Sequence, residues 1–256
     1  MTSSRVGDAG NGFAKVPELT LLFWILKVAA TTLGETGGDA VSMSMKLGYL
    51  VGTAIFAVTF LIAVIVQIRT TQFHPAVYWT TIIATTTVGT TLADFADRSL
   101  GIGYAGGASL LFLLLMASLA TWRRVLGSVS VESVASPRSE VFYWVTIMFS
   151  QTLGTALGDW TADSEGLGYV GGVLVFVGLL AVVVALYFFT RVSRTVLFWS
   201  AFILTRPLGA VVGDFLDKPR ASGGLALSRY AASGALLAFI LGCLVLFPQR
   251  AARTAH

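Results

Sequence analysis

Four times along this chain an aromatic pair ending in tryptophan is followed by glycine ten residues later and aspartate fifteen residues later. The pairs are Phe23-Trp24, Tyr78-Trp79, Tyr143-Trp144 and Phe198-Trp199. The glycines are Gly34, Gly89, Gly154 and Gly209, and the aspartates are Asp39, Asp94, Asp159 and Asp214. A small residue precedes each aspartate: Gly38, Ala93, Gly158 or Gly213. A fixed period of this kind means one structural unit copied in tandem, and any fold must satisfy it four times over.

Each unit reads as two apolar helices. About 20 apolar residues span roughly 30 Å of hydrocarbon, and eight stretches qualify: 17–39, 47–68, 76–97, 103–122, 140–162, 168–190, 195–217 and 228–247. The even-numbered stretches are uninterrupted, as in Leu110-Leu111-Phe112-Leu113-Leu114-Leu115. The odd-numbered ones open on the aromatic pair and fill their later half with Thr, Gly and acid. Hydrophobic residues make up 55% of the chain and charged residues only 12%, with a mean hydropathy of +0.81, against about a quarter charged in a soluble domain. The fold class expected is an all-α membrane protein of eight transmembrane helices, arranged as four parallel two-helix repeats in two similar halves. Two crossings per unit leave all four units facing the same way, so the repeats are related about an axis along the membrane normal.

The divisions follow from the spacing. Trp-to-Trp intervals of 55, 65 and 55 residues set apart a first repeat pair at 15–126 and a second at 141–247, joined by a polar linker at 127–140. Residues 1–14 read as a disordered lead without a cleavable signal, and 248–256 as a tail. In three repeats the second helix opens on Leu47-Gly48-Tyr49, Gly101-Ile102-Gly103-Tyr104 or Gly166-Leu167-Gly168-Tyr169, while the fourth offers Gly223-Gly224-Leu225 without the tyrosine.

Net charge is +4. The basic residues lie in short loops, with no basic groove interleaved with aromatics, so the excess reads as a topology signal and not as nucleic-acid binding. The Trp-side loops and termini carry Arg5, Lys15, Arg69, Arg123, Arg124, Arg138, Arg191, Arg194, Arg250 and Arg253, against Lys46, Arg98, Lys218, Arg220 and Arg229 on the opposite side. The bias places both termini in the cytoplasm of a multi-pass protein of the bacterial inner membrane. The lipid bilayer is then one partner.

With the repeat established, the chain resembles a bacterial integral membrane protein family of four tandem two-helix repeats of unknown function. The resemblance runs from Lys15-Val16-Pro17-Glu18 to Leu204-Thr205-Arg206-Pro207-Leu208-Gly209, and is clearest in Thr31-Thr32-Leu33-Gly34-Glu35 and Gly154-Thr155-Ala156-Leu157-Gly158-Asp159. It implies an architecture and no activity.

The chemistry rests on the acids. A carboxylate at the centre of a bilayer costs about 2.5–3.5 kcal/mol on insertion scales, so such residues face a cavity or a partner. With each Trp in an interfacial aromatic belt, about 1.5 Å per residue carries the repeated aspartate roughly 22 Å deeper. Glu35 stands near the midplane, where the other repeats have Thr90, Thr155 and Ala210. A second acid stands at i+3 or i+4 in each repeat: Glu35 before Asp39, and the secondary acids Asp97 after Asp94, Asp163 after Asp159 and Asp217 after Asp214. Both spacings put two carboxylates on one helix face. Parallel repeats would gather Asp39, Asp94, Asp159 and Asp214 into a ring or two facing pairs, among hydroxyls such as Thr31, Thr86, Thr90 and Thr155. Oxygen ligands without His or Cys suit Mg²⁺, Mn²⁺ or Ca²⁺. The functional expectation is a transporter of a divalent cation, coupled to protons, with Glu35 as a deeper ligand or proton carrier and Lys27 and Arg206 as gate or charge partners. The alternative is an accessory membrane protein whose acids form internal hydrogen bonds and ion pairs. No Ser/His/Asp or HExxH arrangement suggests an enzyme, and no cofactor is called for beyond the cation.

Overall fold

The computed structural model describes residues 14–164 and 166–252. Among them are eight α-helices and no strand: α1 Leu21–Asp39, α2 Gly48–Arg69, α3 Pro75–Asp94, α4 Tyr104–Leu126, α5 Pro137–Asp159, α6 Gly168–Phe189, α7 Arg194–Asp217 and α8 Arg229–Leu246. Local chemistry fixes their starts. Thr20 and Ser228 accept from backbone N–H groups of the first turn, Pro75 and Pro137 open their helices where an N–H would be orphaned, and Ser136 forms a reciprocal cap with Ser139.

The odd helices form a closed inner ring. α1 packs on α3, α3 on α5, α5 on α7, and α7 returns to α1. The even helices stand outside, each mainly against the inner helix of the next repeat: α2 on α3, α4 on α5, α6 on α7 and α8 back on α1. No unit is therefore a self-contained hairpin. Each two-helix repeat spans its neighbour's surface, and the cycle closes only when all four are present.

The repeated glycines are what let the ring close. A Cβ on Gly34 would meet the Thr86 side chain, one on Gly89 would meet backbone at Gln151 and Thr152, one on Gly154 would meet Arg206 and Pro207, and one on Gly209 would meet Thr31. Each glycine thus faces the residue seven positions after the Trp of the adjacent inner helix. The small residue before the aspartate does the same one turn on, where Gly38, Gly158 and Gly213 face Thr90, Ala210 and Glu35. Small residues at helix contacts let backbones approach closely, and without a bare Cα these contacts would not form.

The ring presents one stripe of each inner helix to the axis, in layers four residues apart. From one end these are Phe23, Tyr78, Tyr143 and Phe198; then Lys27, Ile82, Ile147 and Phe202; then Thr31, Thr86, Gln151 and Arg206; then Glu35, Thr90, Thr155 and Ala210; and last Asp39, Asp94, Asp159 and Asp214. Every one of these side chains is at most 6% exposed. The molecule is therefore aromatic at one end of its axis and acidic at the other.

One expectation changes at the aromatic end. The repeated tryptophans do not form an outward belt: Trp79, Trp144 and Trp199 are buried, and their rings contact Phe23, Tyr78, Tyr143 and Phe202 inside the bundle. Ring-on-ring packing captures their area, and the indole N–H groups of Trp79 and Trp199 donate to Gln249 and to the Val129 carbonyl. The described parts of the lead, the linker and the tail pack together at this end. Ala14 and Val16 are buried, and Ala14 and Glu18 donate to the carbonyls of Ala252 and Arg250. Lys15 N–H donates to Val134 of the central linker, itself buried, and Lys15 Nζ reaches Glu140 at 2.6 Å. Residues 1–13 and 253–256, assigned to the lead and the tail, lie outside the described residues.

Five helices, α2, α4, α6, α7 and α8, are long and apolar enough to cross a membrane. The outer helices bury few residues, such as Gly52, Ala63 and Gln67 in α2, and expose leucine, valine and phenylalanine elsewhere. α1, α3 and α5 fall short because their axial stripe is polar.

Candidate functional site

The acidic end is built by a change of helix type. After Asp39, Asp94 and Asp159 the inner helices pass into π-helical turns at Ala40–Ser44, Phe95–Ser99 and Trp160–Ser164. Such turns widen the helix by one residue and swing the following side chains round it. Glycines then reverse the chain; Gly101 and Gly103 take φ of +70° and +76°, a region L side chains avoid. The fourth repeat departs here as well. α7 continues to Asp217 and stops at Lys218-Pro219.

All four repeated aspartates converge, and each meets a base. Arg98 lies 2.8 Å from Asp94 and 3.2 Å from Asp159, with Asp163 at 3.9 Å. Lys218 lies 2.7 Å from Asp39 and 3.1 Å from Asp214. Arg229 holds Asp217 at 3.0 Å and reaches Asp39 at 3.6 Å. The aspartates therefore sit as two pairs, each bridged by a cation from the chain beyond an inner helix. One turn deeper, Arg206 Nη2 lies 3.0 Å from Glu35 and donates to Thr90 and Thr155, touching all three of the other inner helices.

The pairs are joined through Glu35 and Asp214. Carboxylate oxygens of Glu35, Asp159 and Asp214 lie within 4.8 Å of one another, as do those of Asp39, Asp214 and Asp217. All five residues are buried. Like charges this close persist only with cations or protons between them. Burial works against the charge on Lys218, but the Asp214 and Asp39 carboxylates hold its proton well above the ordinary lysine range. Burial likewise opposes the charge on Arg98, and Asp94 and Asp159 outweigh it. Both bases stay charged, yet Glu35, Asp39, Asp94, Asp159, Asp163, Asp214 and Asp217 outnumber Arg98, Arg206, Lys218 and Arg229.

The secondary acids divide. Asp217 joins a trio. Asp97 is buried but turns toward α4, where its Oδ1 occupies the space a Cβ on Gly107 would need. Asp163 is 40% exposed at its side chain and accepts from the Tyr104 hydroxyl. Past the inner helices the structure thus brings Asp217 beside Asp39 and Asp214, leaves Asp163 at the edge of the Arg98 pair and turns Asp97 away from the other acids. Of the two bases within the inner helices, Arg206 pairs with Glu35, whereas Lys27 meets no carboxylate among the described residues. It lies over the Phe202 ring, 4.1 Å from the centroid. Two layers separate it from the aspartates.

The residues that sequence reasoning missed are Arg98, Lys218 and Arg229, read there only as loop charges. A signal was present for two of them: Arg98 follows Asp94, and Lys218 follows Asp214, by four residues. Arg229 meets its acid across a turn, with no local spacing to mark it.

A family of repeats described as "Repeat of Unknown Function (DUF347)" matches this chain four times, at residues 22–73, 77–127, 142–193 and 197–251. The chain belongs to that DUF347 repeat family. Each match holds one inner helix and the outer helix that follows it. No curated protein and no solved structure matches the chain.

Proposed function

We propose that this DUF347 protein is an eight-span carrier of a small cation, of the Mn²⁺, Mg²⁺ or Ca²⁺ class, with both termini in the cytoplasm of an inner membrane. The observation that carries the reading is the pair of buried carboxylate trios sharing Asp214. A hard divalent ion takes six or more oxygen ligands, or a few carboxylates with retained water, and all-oxygen trios suit it. The apolar outer helices and the loop-charge bias support the membrane and the orientation, with the aromatic end inward.

The bases define how such a site would work. Lys218 Nζ lies between Asp39 and Asp214 as a tethered cation. An arriving metal displaces it, and proton exchange on the surplus carboxylates balances the charge. Arg98 and Lys218, 32% and 13% exposed at their side chains, mark the entry. Inward passage is closed by Arg206 and the aromatic layers, so delivery needs the Arg206–Glu35 pair to part. Asp214→Asn is the sharpest test because it touches both trios. Titration calorimetry with Mn²⁺ on purified protein should show affinity reduced at least about tenfold, the equivalent of one lost 1.4 kcal/mol interaction. Flux into vesicles should fall with it. If Asn replacements at Asp39, Asp94, Asp159 and Asp214 all bind and move Mn²⁺ as wild type does, the reading is wrong.

One observation favours a second reading. Each repeated aspartate has a basic partner within 3.2 Å, the arrangement of an internal structural network. On that reading the same Asn variants lose thermal stability, and no divalent ion changes the melting temperature of the wild type.

A further inference from the structure

Between the aromatic end and the Glu35–Arg206 pair lies a group of polar atoms that the acidic site does not use. Lys27 of α1 is fully buried, and its Nζ has no hydrogen-bond partner among the described residues. The same is true of Thr86 Oγ1 on α3, of Ser150 Oγ and both amide atoms of Gln151 on α5, and of Nε and Nη1 of Arg206 on α7. Every inner helix thus brings an unsatisfied polar group to one short stretch of the axis. Thr86, Gln151 and Arg206 share a layer, and Lys27 stands in the next. A buried polar group left unpaired costs about 1–3 kcal/mol, and native interiors keep few of them. So many in adjacent layers call for an occupant.

The donors say what kind. The ammonium, the remaining Arg206 N–H groups and the Gln151 NH₂ can only donate, while the hydroxyls can turn either way. The Arg206 charge is matched by Glu35 at 3.0 Å, and Lys27 has no such match. Its ammonium lies against the face of Phe202, a contact that favours a cation over an amine. The Arg206 guanidinium stands on the axis, because Nη2 alone touches Glu35, Thr90 and Thr155 from three different helices. Its other nitrogens are then available to the same stretch. An anion among these donors would hold Lys27 in its charged form, which water alone would not do.

We propose that this mid-bundle stretch is a site for a small inorganic anion of the halide class, held by Lys27, Arg206 and the Gln151 NH₂ with the hydroxyl of Thr86. The site is independent of cation binding at the acidic end. Bromide is the probe, with gluconate at matched ionic strength as the control, on the full chain in detergent. At about 100 mM, bromide should raise the melting temperature by about 3 °C over gluconate, as expected for roughly tenfold saturation in a chain of this size. Crystals grown in bromide should show an anomalous peak in contact with Lys27 Nζ, and Lys27→Met should abolish both signals. If that variant does not fold, the wild-type anomalous map decides alone. Equal melting temperatures in the two salts with no anomalous peak overturn the proposal. Mn²⁺ titration of the same samples reads the acidic end separately, so either site can fail without the other.

Discussion

The Arg206–Glu35 pair offers the most direct test of how the axis is held together. Replacing Arg206 with methionine keeps the length and apolar stem of the side chain and removes the guanidinium. Thr90 and Thr155 lose a donor but keep their backbone bonds to Thr86 and Gln151, so their share of the loss is small. The cost falls on Glu35, only 2% exposed, whose other partner is the Thr90 hydroxyl at 3.2 Å. Breaking a buried ion pair by deleting one partner costs about 3–5 kcal/mol, because a charge is left without compensation. At roughly 2–4 °C per kcal/mol for a chain of this size, Arg206→Met should lower the melting temperature by about 10 °C. Adding Glu35→Gln removes the stranded charge and should recover most of that loss, with a coupling of about 2–3 kcal/mol in the double-mutant cycle. The assay is tryptophan fluorescence melting in one detergent for all four proteins, since the buried rings of Trp79 and Trp144 report on the bundle itself. A single variant within about 2 °C of wild type, or a double variant no more stable than the single, would refute the argument that this pair is held in a low-dielectric interior.

Gly154→Ala places a Cβ within 2.5 Å of Arg206 Cβ and 3.0 Å of Pro207 Cδ, and overpacking of this kind costs about 1–3 kcal/mol. Gly178→Ala on the outer helix α6 meets nothing within 4 Å and should raise stability by up to about 1 kcal/mol through helix propensity; fluorescence melting of the two side by side checks the sign of each. Lys15→Met strands Glu140, 1% exposed at its side chain and 2.6 Å from the lysine. It should cost about 3 kcal/mol and speed proteolysis of the amino-terminal segment, read by mass spectrometry of limited digests, whereas an unchanged digest would show that this strap is not held by the ion pair.

Much of the fold was legible because the repeat is legible. Helix existence follows from apolar length, and the four-residue interval from Phe23 through Lys27, Thr31 and Glu35 to Asp39 fixes a single axial stripe on α1, with the same stripe on α3, α5 and α7. The acidic end of the site was readable for the same reason, since equivalent positions in parallel repeats come to one depth. The direction of Trp79 and Trp144 was not. An aromatic at a helix end satisfies an interface or a core equally well, and only the closing of the ring turns it inward.

What the sequence by itself determined is the layered order of the axis, from aromatic through hydroxyl to carboxylate, because helical periodicity places those residues without reference to any other segment. Tertiary structure alone decided who meets whom. Each outer helix lies on the next repeat, Arg206 crosses the axis to Glu35, and Arg98, Lys218 and Arg229 fold back onto the aspartates. Those contacts join positions far apart in the chain, and they depend on how closely glycine lets the helices approach and how the π-helical turns redirect the chain beyond them. Spacing along one helix carries no record of either.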